Sequence, residues 1–164
     1  MIETERKYLI LYPDISLLLA LPDITVGEIE QTYLMSDGAT TRRVRKTVVD
    51  GVTVLQKNTK TKISSMSRIE DESEIGDAEY RALLAERDPE LNTICKTRYT
   101  FYYLGQKFEI DVYPFWHNSA ICETELDSED AVVDFPDFIA IKREVTTDKR
   151  YSNKAMAKSI PEED

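Results

Sequence analysis

Apolar and polar residues alternate with period two along most of this chain, the signature of half-buried strands. Ile2 to Leu11 reads as a strand. A short apolar helix follows over Pro13 to Leu21, with proline in its first turn. Val26 to Met35 reads as a second strand, and Ser36-Asp37-Gly38 as a turn. Thr40 to Val48 and Val52 to Thr59 flank Asp50-Gly51, a strong hairpin signal. Lys60 to Ser67 is polar and reads as a loop, Arg68 to Ile75 as a strand. Asp77 is the expected N-cap of a helix through Arg87, with Tyr80, Leu83 and Leu84 on one face. Thr93 to Leu104 and Lys107 to Tyr113 form a second hairpin through Gly105-Gln106. Ser119 to Asp127 is another strand, Ser128 to Val133 a short acidic helix, Ile139 to Thr146 a last strand and Ser152 to Ile160 a closing helix. Eight or nine strands with short turns predict a mainly β (α+β) fold: one antiparallel sheet, closed or nearly so.

Strand parity sorts the charges, because successive residues point to opposite faces. Glu3, Glu5 and Lys7 share a face, as do Arg43 and Arg45. Leu55 and Lys57 align opposite Val54, and Glu70, Glu72 and Glu74 opposite Ile69 and Ile75. Lys96 and Arg98, then Glu109 and Asp111, then Glu123 and Glu125 each align opposite apolar residues. The simplest account is a half-buried sheet with its charged face in water. Against it, acidic pairs and basic pairs segregate onto different strands. Adjacent carboxylates repel unless a cation sits among them. A divalent metal fits, and all-carboxylate donors suit Mg²⁺ or Mn²⁺. The basic strands suit a polyanion such as a phosphate chain. A closed barrel with this face inward is a charged tunnel. Its apolar outer wall then needs cover, which the apolar segments 15–21, 80–85 and 155–160, or a second subunit in a homodimer, supply.

Composition narrows the chemistry. The length of 164 residues suggests a single domain over residues 1–164. There are 31 acidic and 21 basic side chains, a net charge of −10, which argues against broad nucleic-acid binding. Two cysteines, Cys95 and Cys122, are too few for a disulfide framework. A single histidine, His117, leaves little room for His-based designs. No apolar run approaches the ~18 residues of a membrane span. The charged N-terminus does not resemble a signal peptide, so the cytoplasm is the expected compartment. Any chemistry must come from carboxylates and cations.

The ordered motifs resemble the CYTH superfamily, the triphosphate tunnel metalloenzymes. Glu3-Thr4-Glu5-Arg6-Lys7 matches its Glu-x-Glu-x-Lys signature. Gln31-Thr32-Tyr33-Leu34 is similar to its second strand, Arg43-Val44-Arg45 to its Arg-x-Arg strand, and Lys57 falls where the next strand carries a Lys. Glu70 to Ile75 resembles its alternating Glu strand, Lys96-Thr97-Arg98-Tyr99 and Phe108 to Tyr113 its Lys-x-Arg hairpin, and Glu123-Thr124-Glu125 its late Glu-x-Glu. Glu144-Val145-Thr146 and Tyr151-Ser152-Asn153 resemble the C-terminal signature of short bacterial members.

The resemblance implies an eight-stranded antiparallel barrel binding triphosphates with Mg²⁺ or Mn²⁺. It implies Glu3, Glu5, Asp111, Glu123 and Glu125 as metal ligands, and Lys7, Arg43, Arg45, Lys57, Lys96 and Arg98 as phosphate ligands. Glu70, Glu72 and Glu109 line the tunnel, and a second metal or a tunnel carboxylate such as Glu70 or Glu72 positions and deprotonates the attacking water. Lys60 and Lys62 meet substrate at the mouth, and Lys149 or Arg150 adds a C-terminal cation. The expected activity is metal-dependent hydrolysis of inorganic tripolyphosphate, with Glu5, Lys57, Glu70 and Glu72 the catalytic set. The alternatives are an adenylate cyclase, a thiamine triphosphatase, and a non-catalytic polyphosphate- or nucleotide-binding module. Tyr102, Tyr113 and Trp116 read as wall or core aromatics and give no sign of a base pocket.

Overall fold

A computed structural model describes residues 2–64 and 66–163; Met1, Asp164 and Ser65, which falls in the loop expected over Lys60 to Ser67, lie outside the described residues. The strands are β1 (Ile2–Leu11), β2 (Thr25–Leu34), β3 (Thr40–Val49), β4 (Val52–Lys62), β5 (Ser67–Glu74), β6 (Ile94–Tyr103), β7 (Gln106–Val112), β8 (Ser119–Glu125) and β9 (Ile141–Glu144). The helices are α1 (Ile15–Leu19), α2 (Asp77–Leu84) and α3 (Asn153–Lys158), with a 3-10 turn at Lys149–Tyr151. The sheet order β5-β4-β3-β2-β6-β7-β8-β1 closes through a β5–β1 pairing, giving an eight-stranded antiparallel barrel with β9 added outside β1.

One edge of β1 closes the barrel piece by piece. Residues 2–4 pair with β5, and residues 8–10 pair with β9. Between them the Glu5 N–H donates to the Met66 carbonyl and the Lys7 carbonyl accepts from the Val145 N–H. No length of that edge is left to recruit another strand.

Two hairpins use the same turn. Asp50-Gly51 has φ of 50° and 76°, and Leu104-Gly105 has the same pair of values. Positive φ at both central residues is the type I′ turn that matches strand twist, which explains a glycine second. Leucine is a costly residue there, and the second turn sits one residue earlier than Gly105-Gln106.

Cover for the outer wall comes from three places. Asp14 caps α1 by accepting from the Ser16 and Leu17 N–H groups. Leu18 of α1 packs with Tyr8, Ile10, Tyr99, Phe101, Phe108 and Ile110 on the outer face of β1, β6 and β7. Segment 127–140 contains no helix among its described residues, contrary to the acidic helix expected at Ser128 to Val133. Pro136 holds its predecessor extended, and Val133, Phe135 and Phe138 drape over the same wall. On the far side Tyr80, Leu83 and Leu84 of α2 cover Leu34 and Val44. Gly76 caps that helix, and Asp77 is its first residue rather than its cap.

The third of these apolar segments, 155–160, behaves differently from its expected role as outer cover. Met156 and Ala157 of α3 pack with Leu9, Tyr33, Ile94, Tyr113 and Ile121, which share parity with the inward charges. Thus α3 fills part of one end of the barrel. Tyr113 and Trp116 belong to this floor, whereas Tyr102 is exposed at a hairpin tip.

Candidate active site

The charged face lines the barrel interior and does not face bulk water. A cavity of about 1370 Å³ runs from Lys107 and Glu125 at one end to Gly38, Ala39 and α3 at the other. Glu3, Glu5, Lys7, Arg43, Arg45, Glu70, Glu72, Arg98, Glu109, Glu123 and Glu125 all line it, as do Lys149 and Arg150 of the C-terminal segment. Strand pairing sets this arrangement: Glu5 stands opposite Glu125, Lys7 opposite Glu123, and Glu123 opposite Glu109.

Three expected residues lie elsewhere. Lys57 pairs across the sheet with Val44, so it points outward. Its ammonium meets Glu79 of α2 at 2.8 Å, with both side chains half-exposed. The inward residues of β4 include Asn58 and Lys60, because they stand opposite Arg43 and Thr41. Segment 60–62 is strand, not loop, and Lys60 lies 3.4 Å from Glu3 and 3.7 Å from Glu70. Lys96 and Asp111 face inward but sit behind the cavity wall. The Lys96 ammonium is 2.8 Å from Asp111, and neither side chain reaches solvent. Arg98 forks onto both oxygens of Asp111 at 2.8 and 2.9 Å and reaches Glu109 at 3.0 Å.

Sequence reasoning passed over Arg68. It precedes Glu70 and Glu72 at the same two-residue spacing, so parity alone places it on their face. Its Nη1 donates to Glu5 at 2.9 Å. Gln31, part of the second-strand motif, accepts from Arg45 Nε and Nη2 at 3.2 and 2.8 Å and donates to the Tyr33 hydroxyl at 2.7 Å.

The electrostatics follow from crowding like charges in a partly dry space. Burial, then the hydrogen bond with Glu70 and the charge of Glu5, pushes Glu3 up to about 8. Burial also favours the neutral form of Glu70, but the Glu3 hydrogen bond and Lys60 outweigh it and pull Glu70 down to about 2. One proton between two carboxyls is the result. Burial and the Glu123 charge raise Glu5. Burial, then Arg43 and Arg98, lowers Arg45 to about 10. Arg43 is 6 % exposed, and its Nε has no hydrogen-bond partner among the described residues.

The glutamates offer only hard oxygen donors, which suit a small divalent ion. Among the described residues no three potential metal ligands stand together as a ready cluster. Arg68, Lys60 and Lys7 draw Glu5, Glu3 and Glu123 toward themselves instead. The arrangement can therefore hold a phosphate chain on its guanidinium side and a cation on its carboxylate side.

No protein-family model matches the chain, and no curated protein is similar to it. Solved structures are similar. The inorganic triphosphatase NE1496 is 30 % identical, with a TM-score of 0.59 over 98 % of this chain and 97 % of that one. The Pyrococcus horikoshii protein PH1819 is 19 % identical, with a TM-score of 0.59 over 78 % and 80 %. A Hippeastrum protein described as a putative adenylyl cyclase with a dominant triphosphatase activity is 16 % identical, with a TM-score of 0.55 over 77 % and 80 %. The last two share the fold; the first also matches over nearly the whole of both chains. With its closed eight-stranded barrel, its inward charges and a 30 %-identical relative over nearly all of both chains, this protein belongs to the CYTH-like triphosphate tunnel family.

Proposed function

We propose that the protein hydrolyses inorganic tripolyphosphate with the help of Mg²⁺ or Mn²⁺. The observation that carries this reading is Arg43: a buried guanidinium on the cavity wall, beside Arg45, with no ion pair among the described residues. Among the described residues no carboxylate touches it and only the more distant charge of Glu70 answers it, so an arriving anion is favoured. Arg43, Arg45 and Arg98 together form a patch suited to several phosphate oxygens.

Glu3, Glu5, Glu123 and Glu125 would hold the divalent ion, which supplies neutralisation of phosphate charge and activation of the phosphoryl group. The chain's cations hold the phosphates extended, so that the terminal phosphorus meets water in line. Glu70 is ionised at neutral pH and accepts from Asn58 at 2.6 Å, which fixes its carboxylate on the wall. It orients the attacking water, whose proton leaves through the tunnel carboxylates to solvent. Water oxygen bonds to phosphorus, the bridging P–O bond breaks, and orthophosphate and pyrophosphate leave. No Ser, Cys or His nucleophile enters.

An inorganic substrate is favoured over a nucleotide by the wall itself. Among the described lining residues the only aromatic ring is Tyr33, and its hydroxyl is held by Gln31. That leaves no platform on which a base or thiazolium ring stacks. The 30 %-identical relative is an inorganic triphosphatase, which supports the same choice.

The test is release of orthophosphate and pyrophosphate from tripolyphosphate, ATP and thiamine triphosphate, each with Mg²⁺, Mn²⁺ or EDTA. Fastest orthophosphate release from tripolyphosphate, abolished by EDTA, is expected. Pyrophosphate with a cyclic nucleotide from ATP would make the protein a cyclase instead.

A further inference from the structure

Glu3, Glu5, Glu70, Glu109 and Glu123 are each already met by a cation of this chain, and one pair is arranged for exchange. Arg68 and Glu5 meet at 2.9 Å through a single nitrogen, Nη1, onto a single oxygen, Oε1. Its other nitrogens make no hydrogen bond or ion pair among the described residues, and its side chain, 24 % exposed, lines the cavity. Contrast Arg98, whose fork on Asp111 uses two nitrogens and both carboxylate oxygens. A fork onto a buried partner is a fixture, whereas a one-point contact facing the cavity is readily given up.

A divalent ion that takes Glu5 competes with Arg68 for the same oxygen. Once displaced, the guanidinium stands next to a doubly charged cation and needs a new anion. A phosphate oxygen in the tunnel is within the same space. We propose that Arg68 is a stand-in cation: it holds Glu5 until a divalent ion arrives, then moves to the phosphate chain, so that metal and tripolyphosphate bind with positive coupling. This rests on the function proposed above. It adds Arg68 to the phosphate ligands, and it predicts that metal alone binds weakly because it must first evict an internal competitor.

The experiment titrates Mn²⁺ into phosphate-free protein, by calorimetry or by the electron-spin signal of free Mn²⁺. Arg68→Met is expected to bind Mn²⁺ roughly tenfold more tightly than the parent, the scale of one partly buried ion pair. Lys62→Met is the control. It removes the same charge from the cavity wall, next to Arg68 across β4 and β5, but frees no carboxylate. Its Mn²⁺ affinity is expected to change by less than about twofold. Equal gains in the two variants would reduce the effect to net charge and overturn the proposal. So would an unchanged or weakened affinity in Arg68→Met. Should that variant misfold, Arg68→Lys, which keeps the charge on a shorter, unforked side chain, must show a smaller gain; no gain overturns the proposal equally. The reading of function fails by a separate result, namely no orthophosphate from tripolyphosphate by the parent with Mn²⁺, whatever Mn²⁺ binding shows.

Discussion

Replacing Arg43 with methionine should stabilise the free protein and cripple it as an enzyme. Methionine keeps most of the aliphatic stem's packing and removes the buried charge. It also removes an Nε–H that has no partner among the described residues, a defect costing ~1–3 kcal/mol, and relieves the repulsion that helps lower Arg45 to about 10. Some contact is lost with the longer side chain, so the net gain is about 1 kcal/mol. For a domain of this size that corresponds to a rise in Tm of roughly 2–4 °C. The substrate side moves the other way. Removing one partner of a buried charged contact costs about 3 kcal/mol, or roughly a hundredfold in affinity. Thermal melts without phosphate, melts with tripolyphosphate, and kcat/KM together read both terms. A variant that melts lower than the parent and yet binds and turns over tripolyphosphate normally would refute the reasoning, because Arg43 would then be a structural residue.

Three further predictions follow from placement and charge. Lys57→Ala should leave kcat/KM within about twofold and stability within ~0.5 kcal/mol, since it deletes only the half-exposed pair with Glu79, whereas Lys60→Ala should lose about a hundredfold; steady-state kinetics in which Lys57 is the costly residue would overturn the β4 register. Glu3 holds its proton in the folded chain up to about 8 against an ordinary 4.5, so its contribution to stability is complete below about 4.5 and is lost as the pH climbs toward 8. Glu3→Gln, melted in EDTA, should therefore gain on the parent at pH 8, by roughly 1 kcal/mol after solvent screening, and match it near pH 4.5; parallel curves would mean Glu3 is ionised throughout. Asp111→Asn takes the ion-pair partner from the solvent-free Lys96 ammonium and breaks the Arg98 fork, and should cost about 3–5 kcal/mol in urea unfolding, of which adding Lys96→Met restores only the Lys96 share; a parent-like midpoint for the single variant would show that this buried cluster is not what holds that wall.

Period two made the barrel legible, and it failed where parity had to be tied to an absolute face. In β7 the charged pair alternates with Phe108, Ile110 and Val112, and in β1, β3, β6 and β8 Tyr8, Val44, Tyr99 and Cys122 mark the opposite face as apolar, so one assignment buries the apolar set, and the structure adopts it. In β4 the neighbours are Val54, Leu55, Gln56, Asn58 and Thr59, and both faces are half polar. Nothing local says that Leu55 turns outward to α2 and carries Lys57 with it. The pairing with Val44 decides the matter, and that is a long-range fact. The same ambiguity hid the end of the strand: Thr59, Lys60, Thr61 and Lys62 alternate well enough to be β, but their composition is that of a loop. The C-terminal helix is the harder case. Met156 and Ala157 supply an apolar stripe, and a stripe specifies only that something covers it. An outer wall and a tunnel end are equally good partners by composition. What selects the end is a set of tethers spread along the chain: the Tyr113 hydroxyl donating to Asn153, the Asn92 N–H to the Ala157 carbonyl, the Trp116 ring N–H to the Pro161 carbonyl, and the Lys7 ammonium to the Tyr151 carbonyl. The last of these ties a tunnel cation to the segment that fills the barrel end. Function and floor therefore share a residue, and a charge written into the first ten positions takes its full meaning only from the last fifteen.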